Sequence, residues 1–221
     1  PIFQSTAAKR VGWQSNLMQA LAYHQKGELA LAQVGYEQVL ASQPNQFDAL
    51  HMLGVLATQT AQAEKAVALI QKALSIRSDV AGAHENLALA LRQLHRFDEA
   101  LAHYNQALQL EPNQATTYVN RGVVLRALQR HSEAIESYNF ALHLRADLTQ
   151  AIYNRGLAYN DLNLLPQAIT DFDDTLTRQP SFHPAQWAKA LCLLQMGDYK
   201  AGWPMYACRW QQDEKEFTSL A

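Results

Sequence analysis

Between Ala81 and Gln114, apolar or small residues recur at Leu87, Ala88, Leu91 and Leu94. They recur again at Phe97, Ala100, Leu101, Tyr104, Ala107, Leu108 and Leu110, with polar residues between them. Steps of three and four place each set on one face of an α-helix, so the stretch predicts two amphipathic helices, A and B, and no strand. The same pattern returns every 34 residues. Small residues stand at Ala32, Ala66, Ala100, Ala134, Ala168 and Gly202. Four residues after each comes a large apolar one, in order Tyr36, Ile70, Tyr104, Tyr138, Phe172 and Tyr206. Twelve residues before each lies another small one: Ala20, Gly54, Ala88, Gly122, Gly156 and Ala190.

A spacing held through six copies without insertion describes one helical hairpin stacked on itself. That predicts an all-α solenoid in which each hairpin buries its apolar side only against its neighbours. With the first set of small residues at position 20, the repeats cover 13–46, 47–80, 81–114, 115–148, 149–182 and 183–210. Position 15 separates the helices and holds Gly27, His95, Gln129, Asn163 or Gly197; glycine and asparagine tolerate the left-handed backbone that ends a helix. Position 32 holds Pro44, Pro112 or Pro180, where proline stops helix B. Small residues at positions 8 and 20 are expected to let the two backbones approach. The large residue at position 24 is expected to fill the gap against the next helix A. Residues 1–12 are expected to be a leader or the remnant of a preceding helix, and 211–221 a polar tail or cap.

The pattern resembles the tetratricopeptide repeat. The matching residues are Tyr23, Gly54, Gly122, Gly156, Tyr159, the alanines at position 20, Tyr104, Tyr138, Ala73, Ala107, Ala141, Pro112 and Pro180. Val39 and Thr175 depart from the small residue at position 27, and Ser78 and Ala146 from the proline at position 32. The resemblance spans residue 13 to about 210. It implies antiparallel helix pairs wound into a right-handed superhelix with a concave inner face. It implies little about chemistry, because a fold does not dictate a function.

Each helical residue advances about 100°. Positions 2, 5, 6, 9, 12 and 13 of helix A therefore share one face, opposite the core residues Leu50, Leu87, Leu91, Leu125, Ile152 and Tyr159. Position 6 is asparagine three times running, at Asn86, Asn120 and Asn154. A carboxamide both donates and accepts, so such a row can pair with the backbone of an extended peptide whatever its side chains. The row resembles the asparagine ladder in the repeat domain of O-linked N-acetylglucosamine transferases. His51, Leu89, Arg92, Val123, Arg126, Tyr153 and Leu157 complete the expected peptide-binding face. Its mixture of apolar and polar groups suits a peptide or partner helix with a few apolar anchors better than a polyanion. The Lys and Asn clamp of chaperone-tail receptors, at positions 5 and 9, has no counterpart: those positions hold His51 and Val55, Glu85 and Leu89, Val119 and Val123, Tyr153 and Leu157. Arg121 and Arg155, at position 7, are expected to lay their stems over the seam between helices and keep their heads in water.

Eighteen basic and 20 acidic residues give a net charge of −2, which creates no field for nucleic acid or an anionic membrane. Apolar stretches are soon interrupted by polar residues, so no membrane insertion is expected. No Gly-rich phosphate loop, His-Glu-x-x-His or Gly-x-Ser-x-Gly is present, and the eight histidines share no metal-ligand spacing. Neither a catalytic centre nor a cofactor is expected. Asp171-Phe-Asp173-Asp174 reads as a solvated acidic turn, since Phe172 is a core position. Cys192 and Cys208 read as a reduced, inert pair in a cytoplasmic chain.

The last stretch points elsewhere. Gly197 to Trp210 resembles the Gly-Asp-aromatic…Gly-Trp…Tyr…Arg-Trp ending of bacterial repeat arrays, some of which precede a glycosyltransferase domain. Trp203, Tyr206 and Trp210 form a stripe expected to meet a following domain or a second copy. The leading expectation is a protein-interaction scaffold that holds a peptide or partner protein in its groove. The alternatives are the acceptor-recognition arm of a larger glycosyltransferase, with its catalytic domain outside this chain, and a self-assembling adaptor.

Overall fold

The computed structural model describes residues 2–206, with side chains from residue 12 onward. These residues form twelve α-helices and, among them, no strand. The chain makes two compact halves that part between Pro112 and Asn113. The first half holds α1 (Ile2–Gln25), α2 (Leu29–Ser42), α3 (Phe47–Gln59), α4 (Ala63–Ile76), α5 (Ala81–Gln93) and α6 (Phe97–Leu110). The second holds α7 (Ala115–Ala127), α8 (His131–Leu144), α9 (Thr149–Asp161), α10 (Leu165–Arg178), α11 (His183–Gln195) and α12 (Tyr199–Tyr206). Odd-numbered helices are the A helices and even-numbered ones the B helices.

The turn from A to B is built the same way in every repeat. Position 15 has a positive φ in all six: Gly27, Ala61, His95, Gln129, Asn163 and Gly197. The residue after it reaches back with its N–H to a carbonyl five residues earlier, as in Gln62 to Ala57 (2.8 Å) and Arg130 to Leu125 (2.9 Å). This closure satisfies an otherwise orphaned helix-end carbonyl and requires the left-handed residue between. The requirement holds even at Ala61, whose Cβ makes that conformation unfavourable. Pro44, Pro112 and Pro180 lie in the turns after their B helices.

Packing explains the remaining periodicity. Ala32, Ala66, Ala100, Ala134 and Ala168 are fully buried, and so are Tyr36, Ile70, Tyr104, Tyr138 and Phe172. A Cβ built on Gly122 would lie 2.5 Å from Cε1 of Tyr138, and one on Gly156 would lie 2.8 Å from Cε1 of Phe172. The large residue at position 24 thus lies on position 8 of its own repeat, closing the hairpin from within and not only against the next helix A. Each B helix packs on the following A helix within its half. A helices also touch the next A helix, α1 on α3 and α3 on α5, then α7 on α9 and α9 on α11. Among the described residues B helices make no such contact with one another, so the A layer is the more closely spaced one in each half.

The acidic stretch in α10 is solvated only in part: Asp173 is exposed and Asp174 half-buried, but Asp171 is buried. Asp171 is 5% exposed, and both its oxygens accept from Arg155, at 2.8 Å from Nε and 2.7 Å from Nη2. Arg155 Nη1 donates to Asn139 Oδ1 at 2.7 Å, so this guanidinium is bound in the seam instead of resting in water. The cause is positional: position 7 of helix A faces position 23 of helix B, and Asp171 supplies an anion there. In the preceding repeat position 23 is Ser137, which donates to the Tyr118 carbonyl, and the buried Nε of Arg121 has no hydrogen-bond partner. Asp173 accepts from Lys189, and Asp174 from Arg178 at 2.8 Å. All three aspartates are engaged by cations.

Removing Arg155 strands a buried carboxylate, whereas Arg121 has no buried anion to strand. Arg155→Ala is expected to cost about 3 kcal/mol in urea denaturation and Arg121→Ala under about 1 kcal/mol. Equal losses would contradict the seam assignment.

Candidate functional site

In the first half the expected site residues lie on α3 and α5. His51 sits at position 5 of α3 and Asn86 at position 6 of α5, and Asn86 Nδ2 donates to His51 Nε2 at 2.9 Å. A ring nitrogen that accepts carries no proton, so His51 is neutral with its hydrogen on Nδ1. Burial holds its pKa below the ordinary histidine value, against the pull of Asp48. Leu89 and Arg92 follow on α5, both half-buried. The Tyr104 hydroxyl beneath them is buried without a hydrogen-bond partner, and burial pushes its pKa up to about 12. The equivalent Tyr36 hydroxyl meets Nδ1 of His24 at 3.1 Å, while Nε2 of His24 meets Gln59 Oε1 at 2.9 Å.

A second histidine pair braces the opposite side of α5. His84 Nε2 donates to the Ser78 carbonyl at 3.0 Å, and its Nδ1 shares a hydrogen bond with His103 Nδ1 at 3.0 Å. Burial, and then the neighbouring His84, lower the pKa of His103.

In the second half Asn154 is 9% exposed, and its Oδ1 accepts from Gln150 Nε2 at 3.1 Å. Tyr153 and Leu157 pack against the cluster around Phe172, with the Tyr153 ring edge-on to Phe182 at 4.9 Å between centroids. Asn120 is half-buried on α7. Val123, Arg126 and Asn154 come together around a hollow of about 350 Å³, with Tyr138 and Asp161 also in its wall. Arg126 gives Nε and Nη2 to the two oxygens of Asp161. Burial works against the Arg126 charge, but these bonds more than offset it and raise its pKa.

The carboxamides are therefore not the freely exposed side chains that the angular count implies. Asn154 is buried beside Gln150 of its own helix, and Asn86 spends a donor on His51 of the neighbouring A helix. The count missed Gln150 as a support and Tyr138 as a wall residue, which it assigned wholly to the core. It also missed the joining of Arg126 to Asp161. A signal for that pair exists in the sequence: polar partners at position 12 of one repeat and 13 of the next. His24 with Gln59 and Arg126 with Asp161 obey it, each pair separated by 35 residues, and Gln93 at position 13 reaches the backbone carbonyl of Thr58 at position 12.

At the far end Trp203 is 57% exposed and meets Tyr206 edge-on at 5.7 Å. Trp210 and Cys208 lie outside the described residues. Cys192 is buried, its thiol donates to Asn160 Oδ1 at 3.3 Å, and burial pushes its pKa up to about 11, away from the reactive thiolate. Among the described residues no group of three or more His, Cys, Asp or Glu could hold a metal ion, and no helix is long and apolar enough to cross a membrane.

Two family models, both described as tetratricopeptide repeat, match residues 17–81 and 79–147. No curated protein matches the chain. Among solved structures, MamA is similar at 24% identity, with 73% of this chain and 94% of that one covered and a TM-score of 0.68. PilF of Pseudomonas aeruginosa is similar at 18% identity, over 97% of this chain and 100% of that one, with a TM-score of 0.76. YrrB, described as a TPR protein with an unusual peptide-binding site, is similar at 17% identity over 78% and 89%, with a TM-score of 0.66. Likeness at these identities speaks to the fold.

His51 and His103 both have pKa values lowered from 6.5 in the folded chain. Below about pH 6.5 the unfolded chain binds protons that the folded one refuses, so stability falls as the pH drops from 7 toward 5. Replacing both by glutamine should flatten that part of the stability curve. Melting of the two proteins at pH 7 and pH 5 decides it, and an unchanged pH slope in the variant counts against these assignments.

Proposed function

Because this chain belongs to the tetratricopeptide repeat family, we propose that it works as a protein-interaction scaffold, holding an extended peptide or a partner protein against the exposed faces of its A helices. The observation that carries this reading is the support given to the position-6 carboxamides. Gln150 holds Asn154 by its Oδ1 and leaves both amide hydrogens of Nδ2 to donate; His51 takes one hydrogen from Asn86 and leaves its Oδ1 to accept. Groups fixed before binding lose less entropy when a ligand arrives, so each bond contributes more to affinity. Donors and acceptors of this kind suit peptide backbone, with Leu89 in the first half, and Val123 and Leu157 in the second, offering contact to apolar side chains.

The reading requires no reaction at the bound segment, and the family is one of scaffolds. A second contact surface is proposed at the α11–α12 end, where Trp187, Tyr199 and Trp203 are exposed, for a second copy or a following domain. The glycosyltransferase-arm alternative belongs to that surface, since a catalytic domain would meet the chain there.

A random peptide library displayed on phage and selected on the intact chain supplies ligands for the test. For the best of them, replacing Asn86, Asn120 and Asn154 together by alanine should weaken binding about tenfold or more while the helical spectrum is kept. Undiminished affinity in that variant would remove the asparagines from the binding surface.

A further inference from the structure

The hollow between α7, α8 and α9 has a donor and acceptor pattern more selective than backbone recognition needs. Tyr138 lies in its wall, fully buried, and the phenol oxygen has no hydrogen-bond partner. A buried hydroxyl is normally paired, so an unpaired one at a cavity marks an absent acceptor. Asn154 adds the two hydrogens of Nδ2, because its Oδ1 is occupied by Gln150. Gln129 lies at the rim, with its Oε1 3.1 Å from His131 Nε2. Neutral donors thus predominate.

The Arg126 and Asp161 charges are paired with each other. Arg126 is held by both oxygens of Asp161, and His131 Nδ1 stands 3.4 Å from the same carboxylate. A ligand carboxylate would have to compete with Asp161 for Arg126, and an incoming cation would meet Arg126 itself. A purely apolar side chain would seal Tyr138 and Asn154 in without partners, and sites built to form hydrogen bonds strongly reject such analogues. A carboxamide meets these conditions, with a carbonyl that can accept from two neutral donors at once and an NH2 for a lone pair on Asp161. Val123 and Ala127 offer aliphatic surface to the methylenes leading to it.

We propose that this hollow is a specificity pocket for a glutamine or asparagine side chain of the bound peptide, with its carbonyl accepting from Tyr138 and Asn154 and its amide donating to Asp161. The inference rests on the peptide-scaffold reading and adds to it the side chain selected in the second half.

The test takes the phage-selected peptides and measures their affinity by fluorescence polarisation on the wild type and on Tyr138→Phe. That variant keeps the ring in the core and removes only an unpaired hydroxyl, so it should melt no lower than the wild type. Selected peptides should carry Gln or Asn at one shared position. Changing that residue to Met should weaken binding about tenfold on the wild type but only about twofold on Tyr138→Phe. Peptides that bind with no shared carboxamide, or a Met penalty equal on both proteins, would overturn the pocket and leave the scaffold reading standing. A library that yields no binder at all would overturn both.

Discussion

In the second, fourth and fifth repeats the hairpin rests on one steric fit, the insertion of a large side chain at position 24 over a glycine at position 8 of the same hairpin. Tyr138 over Gly122 and Phe172 over Gly156 leave no room for even a methyl group on the glycine. The fit fixes how closely A and B helices approach and at what register. Position 20, always small, lies on the same seam, with the Ala66 carbonyl 3.4 Å from a Cβ built on Gly54. With the hairpin set, only one closure remains for the turn between its helices, the left-handed residue at position 15, which the chain adopts whether that residue is glycine, alanine, histidine, glutamine or asparagine.

This hierarchy accounts for what could be read directly from the sequence. Packing positions repeat every 34 residues because every hairpin solves the same problem, so helix boundaries, core residues and family follow from spacing alone. Polar positions obey no such repetition. Whether Arg155 or Arg121 finds an anion depends on a single residue across the seam, Asp171 in one repeat and Ser137 in the other. An angular count places both arginines on the same face and cannot distinguish them. Asn154 was legible as a groove residue, but its burial and its bond to Gln150 were not, because an angular count holds no packing. Ala61 in a left-handed turn was hidden for the opposite reason: hydrogen-bond closure outweighs the preference of the residue.

The proposed site draws on both levels. Its frame is the repeated packing, which holds the A helices side by side within each half and aligns their free faces. Its chemistry comes from departures from uniformity: a histidine at position 5, an arginine and aspartate joined 35 residues apart, and a phenol with no partner. Such departures matter little to the hairpin, whose stability comes from positions 8, 20 and 24, so they are free to vary with the ligand.

The central claim is that position 8 is small because position 24 occupies its space. A double-mutant cycle in urea, with Gly122→Ala and Tyr138→Leu made singly and together, measures this most directly. In the wild-type background the added methyl should cost about 1–3 kcal/mol. With leucine at 138 the ring atoms it would strike are gone, and the same change should be neutral or stabilising, as alanine is favoured over glycine within a helix. An identical cost in both backgrounds would contradict the account.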